Sequence, residues 1–230
     1  MISISNRLEK VTTYIPKGST IADIGSDHAF LPCYCVKKGI IEKAIAGEVN
    51  QGPYQSAYNQ VKALGLEDQI EVRLGDGLEV ISAQEVSVVV IAGMGGQLIS
   101  NILERGKDRL PGVDLLILQP NMGARFIREW FEKNNWKLTE ESILEEDEKI
   151  YEILVAKRTN TPFVFTESEK LLGPLLMKQN NSSFQKKWKR ERDNWEKILV
   201  QLERALPTDE VSERKEQLKK KINAVSEAIK

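Results

Sequence analysis

The chain has 230 residues, 41% of them hydrophobic and 29% charged, with a formal net charge of −1. That length suits one medium domain with an appendage, or two small domains, and the near-neutral total argues against a generally basic nucleic-acid binder. The charge is unevenly spread, however. Residues 161–230 carry 15 Lys and Arg against 11 Asp and Glu, a net of +4, which leaves 18 against 23 and a net of −5 for residues 1–160. No charged-then-apolar leader opens the sequence, and no apolar run approaches the roughly 20 residues needed to cross a bilayer. A cytoplasmic protein without a membrane partner is expected.

In chain order, Ser5 to Tyr14 reads as a helix with Leu8, Val11 and Thr12 on its apolar side. A first strand follows over 20–24, after the turn at Pro16-Lys17-Gly18, and then a helix over about 29–38. Cys33 and Cys35, the only two cysteines, fall on that helix. A C-x-C pair with a single histidine in the chain cannot build a tetrahedral zinc site, and its spacing disfavours a disulfide. Reduced, buried thiols and no metal are expected. Ile41 to Glu48 is a second strand, Gln51 to Leu64 a helix ending at Gly65, and Ile70 to Leu74 a third strand leading to Gly75-Asp76-Gly77.

Val86 to Ala92 is a run of small β-branched residues suited to a central strand covered on both faces. It ends at Gly93-Met94-Gly95-Gly96, and Gln97 to Glu104 continues as a helix. Asp114 to Leu118 is a fifth strand ending at Gln119-Pro120-Asn121, and Phe126 to Asn134 is helical. Trp136–Glu145 and Lys149–Lys157 then form an antiparallel strand pair with no helix between them. Five alternations of strand and helix imply right-handed crossovers and a doubly wound α/β sheet.

The alternation stops after Arg158. Thr159 to Thr166 reads as a linker, Glu167 to Ala205 as one long helix, and Val211 to Ile229 as another, separated by Leu206-Pro207-Thr208-Asp209. Trp188, Trp195 and Leu202 recur seven apart with Ile198, Leu199 and Leu206 alongside, and Leu218, Ile222, Val225 and Ile229 follow at spacings of four, three and four. The expectation is a 1–160 catalytic or binding domain and a 161–230 antiparallel helical hairpin with a coiled-coil-like seam. A monomer is expected, although such a seam can pair within a chain or between chains.

The strand ends carry the chemistry. In an open parallel sheet, ligands bind beyond the carboxyl ends of the strands. There the first strand presents Asp23, Gly25, Asp27 and His28, the second Glu48, the third Asp76 and Gly77, the fourth Gly93 and Met94, and the fifth Gln119-Pro120-Asn121. An acid at the end of the second strand suits the vicinal hydroxyls of a ribose. The G-x-G-x-x-G phosphate fingerprint is missing, and acidic side chains stand where a pyrophosphate would sit. A cofactor with adenine, ribose and positive charge but no phosphate fits better, and S-adenosyl-L-methionine meets that description. Asp76 also reads as a plain turn-former, and Gln-Pro-Asn as a loop that ends a strand.

D-I-G-S-D-H-A-x-L-P at 23–32, G-E at 47–48, D-G-L at 76–78, G-M-G-G at 93–96 and Q-P-N at 119–121 resemble the bacterial tRNA (adenine-N1)-methyltransferases that act on adenine 22. The resemblance continues through E-E-D-E-K-I-Y-E-I at 145–153 and the helical tail. It implies a Rossmann-like class I methyltransferase sheet. By that resemblance Asp23 and Gly25 line the methionine part of S-adenosyl-L-methionine, Glu48 holds its ribose, and Asp76 and Gly77 meet its adenine. Gly93 and Met94 close the other side, and Asp27 and His28 complete the set. Asp27 is the candidate to support positive charge on the methylated base, and Asn121 to bond a base edge.

His28 orients the base or merely caps a helix. A tRNA partner directs attention to Lys186, Lys187, Lys189 and Arg190, the densest basic stretch. A solvated helix face is the plain alternative for it, and Trp188 and Trp195 read as hairpin core. Two other functions remain open on the residues alone: methylation of a small molecule or protein, against which the basic tail counts, and a cofactor-fold binding module without catalysis, against which the intact strand ends count.

Overall fold

The computed structural model describes residues 2–204, 206 and 208–229. Seven strands form one sheet: β1 (Ser19–Ile24), β2 (Ile41–Glu48), β3 (Ile70–Leu74), β4 (Val88–Gly95), β5 (Leu115–Met122), β6 (Trp136–Glu146) and β7 (Lys149–Arg158). Their order is β3-β2-β1-β4-β5-β7-β6, with the first five parallel and β7 antiparallel to both of its neighbours. The order in which successive strands are added reverses between β1 and β4, the switch point at which such folds open a crevice.

Both faces are covered, which is why β4 reads Val88-Val89-Val90-Ile91 and buries all four residues. On one face, Val11 of α1 (Asn6–Thr12), Leu31, Cys33 and Cys35 of α2 (Phe30–Lys37), and Ala57 and Val61 of α3 (Gln51–Ala63) pack on the sheet. On the other, Ile99, Ile102 and Leu103 of α4 (Gly96–Arg105) join Ile127, Trp130 and Phe131 of α5 (Ala124–Lys133). The two thiols are free and buried, and burial pushes Cys33 up to about 11 and Cys35 to about 12. They behave as small hydrophobes. No helix among the described residues is long and apolar enough to cross a membrane.

The tail departs from the expected pair of long helices. Residues 167–203 form three helices, α6 (Glu167–Leu172), α7 (Pro174–Gln179) and α8 (Ser182–Glu203), followed by α9 (Asp209–Ala228). Gly173, at φ +88°, and Pro174 interrupt the first break, and Asn180, at φ +43°, the second. Ala205 and Pro207, which fell within the expected helix and its turn, lie outside the described residues. The α8 and α9 helices pair antiparallel, with Lys221 over the Trp195 ring and Val225 in one cluster with Phe184 and Trp188. That cluster also takes in Ile143 of β6 and Leu172 and Leu176, so Trp188 packs on the sheet domain as well as within the hairpin. At the far end of the hairpin Leu202 is half-buried and Leu206, expected on the seam, is 85% exposed.

A buried ion network joins tail to sheet. Arg128 of α5 and Glu141 of β6 have fully buried side chains, and Glu152 of β7 is 2% exposed. Arg128 Nε donates to Glu141 Oε1 at 2.8 Å and Nη2 to Glu152 Oε2 at 2.6 Å. Lys187 of α8 donates to the other Glu152 oxygen, and the Leu175 N–H to Glu141 Oε2 at 2.9 Å. Burial alone would raise Glu152, but the Lys187 and Arg128 charges outweigh it and hold that carboxyl below its ordinary value. Gly173 lets the backbone pass: a Cβ there would lie 2.6 Å from Arg128 Nη2 and 2.8 Å from Glu141 Oε1. Gly173→Ala is therefore expected to lower the unfolding free energy by roughly 1–3 kcal/mol through backbone strain and crowding, measured by urea denaturation. Arg128→Met, which strips Glu141 of its cation and leaves Glu152 with Lys187 alone, should lower it by about 3–5 kcal/mol.

Candidate active site

The carboxyl ends of β1, β2, β4 and β5 converge on one edge of the sheet. Asp23, the last residue but one of β1, is 4% exposed and accepts a hydrogen bond from the Ser26 hydroxyl. Glu48, the last residue of β2, is 6% exposed and accepts the Asp27 backbone N–H on Oε1, leaving Oε2 for another donor. Burial, assisted by the nearby Glu48 charge and opposed by Ser26, raises Asp23 from 3.8 to about 7. Glu48 is raised too, by burial and then by Asp27, against the Asp27 N–H bond. Two carboxylates destabilised by their own surroundings form a site prepared for positive charge and hydroxyl donors.

The loop between them is held in an unusual conformation. Gly25, Asp27, His28 and Ala29 have φ of +71°, +40°, +60° and +55°. Three successive non-glycine residues in the left-handed region are strained, and such strain persists where the surroundings impose it. The Asp27–Glu48 bond and the burial of Ala29 are two such impositions. The result presents the Asp27 side chain, 81% exposed, and His28, 49% exposed, outward with His28 Nε2 at 3.6 Å from Asp27 Oδ1. Gly25 is required for a second reason: a Cβ would collide with Met94 Cε.

On the other side, β4 and β5 run further than the sequence pattern suggests. Gln119-Pro120-Asn121 lies within β5, with Ala92 in register with Gln119 and Met94 with Pro120, rather than in a loop beyond the strand. Asn121 Nδ2 donates to the Gly93 carbonyl at 2.6 Å, and the Gly93 N–H donates to Gln119 Oε1 at 3.0 Å. The four sites Asp23–Asp27, Glu48, Gly93–Met94 and Asn121 are thus brought together.

Asp76 follows Gly75, whose N–H donates to the Glu48 carbonyl at 2.8 Å, so it lies at the neighbouring strand end, but its side chain is engaged elsewhere. It forms an exposed ion pair with Arg105 at 2.8 Å, beside a small cavity of about 200 Å³ that Leu78, Ile102 and Arg109 also line. Gly77, φ +60°, is buried with Ile102 against its α-carbon.

A larger cleft of about 810 Å³ opens between the end of β5, the β6–β7 turn and α8. Asn121, Arg125, Lys149, Tyr151, Trp188 and Arg190 are among its walls. The basic stretch divides at this point. Lys189 is exposed, Arg190 reaches the Glu148 carbonyl at 3.4 Å, and Lys186 pairs with Glu145 at 2.5 Å. Lys187, at the floor of the same cleft, is engaged with the buried network at Glu152. The sequence pattern assigns no role to the side chains of Ser26, Arg7 or Gln119, although Ser26 stands in the D-I-G-S-D-H run and Gln119 at a strand end; Arg7 carries no such mark.

Fold and site together define a Rossmann-like class I methyltransferase. Comparisons with known proteins narrow this. A profile of the family described as tRNA (adenine(22)-N(1))-methyltransferase matches residues 21–227. The tRNA (adenine(22)-N(1))-methyltransferase of Bacillus subtilis strain 168 is 45% identical over 232 residues, covering 99% of this chain and 98% of that protein. The solved B. subtilis M1A22 tRNA methyltransferase superposes with a TM-score of 0.96 at 44% identity over 100% of both chains. A Streptococcus pneumoniae structure in complex with S-adenosyl-L-methionine gives 0.89 at 41% identity over 99% of this chain and 100% of that one. The chain belongs to the tRNA (adenine(22)-N(1))-methyltransferase family.

A consequence for stability follows from Asp23. Because its folded pKa lies near 7 and its ordinary value at 3.8, the folded state holds the proton while the unfolded state has lost it. Stability falls as pH rises from about 4 to about 7, then levels off. Asp23→Asn removes that dependence. Urea unfolding at pH 5 and pH 8 should show the variant gaining on the wild type at the higher pH, and an equal difference at both would refute the assignment.

Proposed function

We propose that this chain transfers a methyl group from S-adenosyl-L-methionine to N1 of adenine 22 in tRNA. The observation that carries the cofactor reading is the pair of buried carboxyls at the ends of β1 and β2, with Asp23 raised to about 7 beside Glu48. Such a pair repels a pyrophosphate and favours a cationic nucleoside. The tRNA acceptor rests on family membership over nearly the whole chain, tail included.

The residues fit the cofactor. Asp23 and the Cβ-free surface of Gly25 suit its charged methionine end, Glu48 Oε2 its ribose hydroxyls, and Gly93–Met94 the opposite wall. Asp76 and Gly77 are assigned to the adenine, where the Arg105 pair must open or be shared. When bound, S-adenosyl-L-methionine supplies an electrophilic methyl group. The acceptor nitrogen's own lone pair is the nucleophile, so no side chain needs activating, and the protein's part is positioning and charge. N1 methylation leaves the adenine ring positive. The outward Asp27 carboxylate supports that charge, with His28 beside it, and Asn121, anchored on Gly93, is the hydrogen-bonding group for the base edge. Lys189 and Arg190 offer cations to the RNA backbone, and Lys186 adds one at the expense of Glu145. Reduced, buried Cys33 and Cys35 suit a cytoplasmic setting.

The direct test is methyl transfer from labelled S-adenosyl-L-methionine to an unmodified tRNA transcript, with the product nucleosides separated. N1-methyladenosine is expected, and none from a transcript in which adenine 22 is replaced by guanine. Asp27→Ala should lower kcat by roughly a hundredfold or more with cofactor affinity retained, and near-normal turnover would remove Asp27 from the catalytic group. Lys189→Ala combined with Arg190→Ala should weaken tRNA binding and reduce the magnitude of its log–log salt slope by about 2. An unchanged slope would confine α8 to packing.

A further inference from the structure

Arg7 has no part in the site as described, yet it stands where three elements meet. Its Nη1 donates to Gln119 Oε1, across 112 residues of sequence. The same oxygen accepts the Gly93 N–H at 3.0 Å, while the Gly93 carbonyl accepts Asn121 Nδ2 at 2.6 Å. Both backbone polar groups of Gly93, a residue at φ +80°, are therefore held, one of them through an amide that Arg7 orients. The guanidinium is itself fixed: its Cζ lies 5.2 Å from the centroid of the Tyr151 ring. The helix that carries it is tied to the β6–β7 turn, with the Asn6 N–H on Glu146 Oε1 at 2.6 Å and the Arg7 N–H on Oε2 at 3.3 Å.

The chemistry of the amide makes Arg7 decisive. A glutamine side chain has two nearly isosteric orientations, and only its oxygen can accept from both a backbone N–H and a guanidinium. With the oxygen committed twice, Gln119 Nε2 is left buried without a partner, although the residue is 0% exposed. An unpaired donor at that depth is unfavourable, and native proteins retain such groups where function requires them. Arg7 Nη1 is committed to Gln119 and one face of the guanidinium lies over Tyr151; a direct RNA contact by its remaining donors is the rival that the test separates.

We propose that Arg7 is a positioning residue for methyl transfer: acting through Gln119, it holds the Gly93 backbone and Asn121 in the arrangement that receives the acceptor base. The inference rests on the methyl-transfer reading above. Met94 follows Gly93 and packs on Gly25, so a shift at Gly93 reaches both walls of the site.

The test uses the full chain with Arg7→Ala, Arg7→Lys, Gln119→Ala and the Arg7→Ala/Gln119→Ala double variant. Arg7→Ala should lower kcat for tRNA roughly a hundredfold, the scale of a misplacement of about 1 Å. KM for tRNA and its salt dependence should stay near wild type, and Arg7→Lys should recover part of the loss. Gln119→Ala should cause a similar loss, and the double variant no further one, because the two act as a unit. Additive losses, or an effect confined to KM and the salt slope, would overturn the proposal in favour of a direct RNA contact. The Gly93 amide NMR signal gives a readout independent of turnover, and it should shift in Arg7→Ala and return toward wild type in Arg7→Lys. A wild-type protein that makes no N1-methyladenosine would sink the functional reading alone. An unmoved Gly93 signal would sink this one alone.

Discussion

The buried charge network around Arg128 is the constraint on which the two halves of the molecule depend. A guanidinium with no solvent contact must find its partners within the protein, and here they come from β6 and β7, from carbonyls at the end of α6, and through Glu152 from Lys187 on α8. These bonds are directional, so the network favours this seating of the tail on the sheet. Hydrophobic contacts among Ile143, Leu172, Leu176, Phe184 and Trp188 supply attraction at the same place but tolerate sliding. The ion network supplies register. Gly173 is the residue that allows it, because no side chain fits between the chain and the Arg128–Glu141 pair.

That register matters for the site. The tail helix α8 forms one wall of the large cleft and β5's Asn121 lies at its edge, while Tyr151, next to network member Glu152, stacks on Arg7. A continuous set of contacts therefore runs from Lys187 through β7 to Arg7, Gln119 and Gly93. The cofactor end of the site is built differently. There the strand ends of β1 and β2 bring Asp23 and Glu48 together at the switch point of the sheet, and the strained 27–29 segment is held by a backbone bond to Glu48. One carboxylate thus fixes the loop with one oxygen and keeps the other for a ligand.

Electrostatics divides the labour between the halves. The sheet domain is acidic overall and buries one close pair of carboxyls at the strand ends, Asp23 and Glu48, where desolvation makes a bound cation more favourable than it would be in water. The tail is basic, but its charges differ in use. Lys189 and Arg190 remain toward solvent and the cleft, whereas Lys187 is consumed in folding. A run of four cations in the sequence is thus not four equivalent RNA contacts.

Much of this was legible beforehand. The β-branched run at 86–92, the alternation of strand and helix, and the acids and glycines at strand ends are local patterns, and local patterns specify local structure and its place at the sheet edge. They determined the doubly wound sheet, the closing antiparallel pair and the position of Asp23, Glu48, Gly93 and Asn121. The helix breaks at Gly173 and Asn180 were less visible, since a hydrophobic periodicity can continue across a short interruption. What only the tertiary structure decided are the long-range partnerships: Arg7 with Gln119, Arg128 with Glu141 and Glu152, and the inward turn of Lys187. A charged or amide side chain carries no mark of its partner in the sequence. Its partner is chosen by which strands become neighbours and by the phase in which Trp188 locks α8 against Ile143.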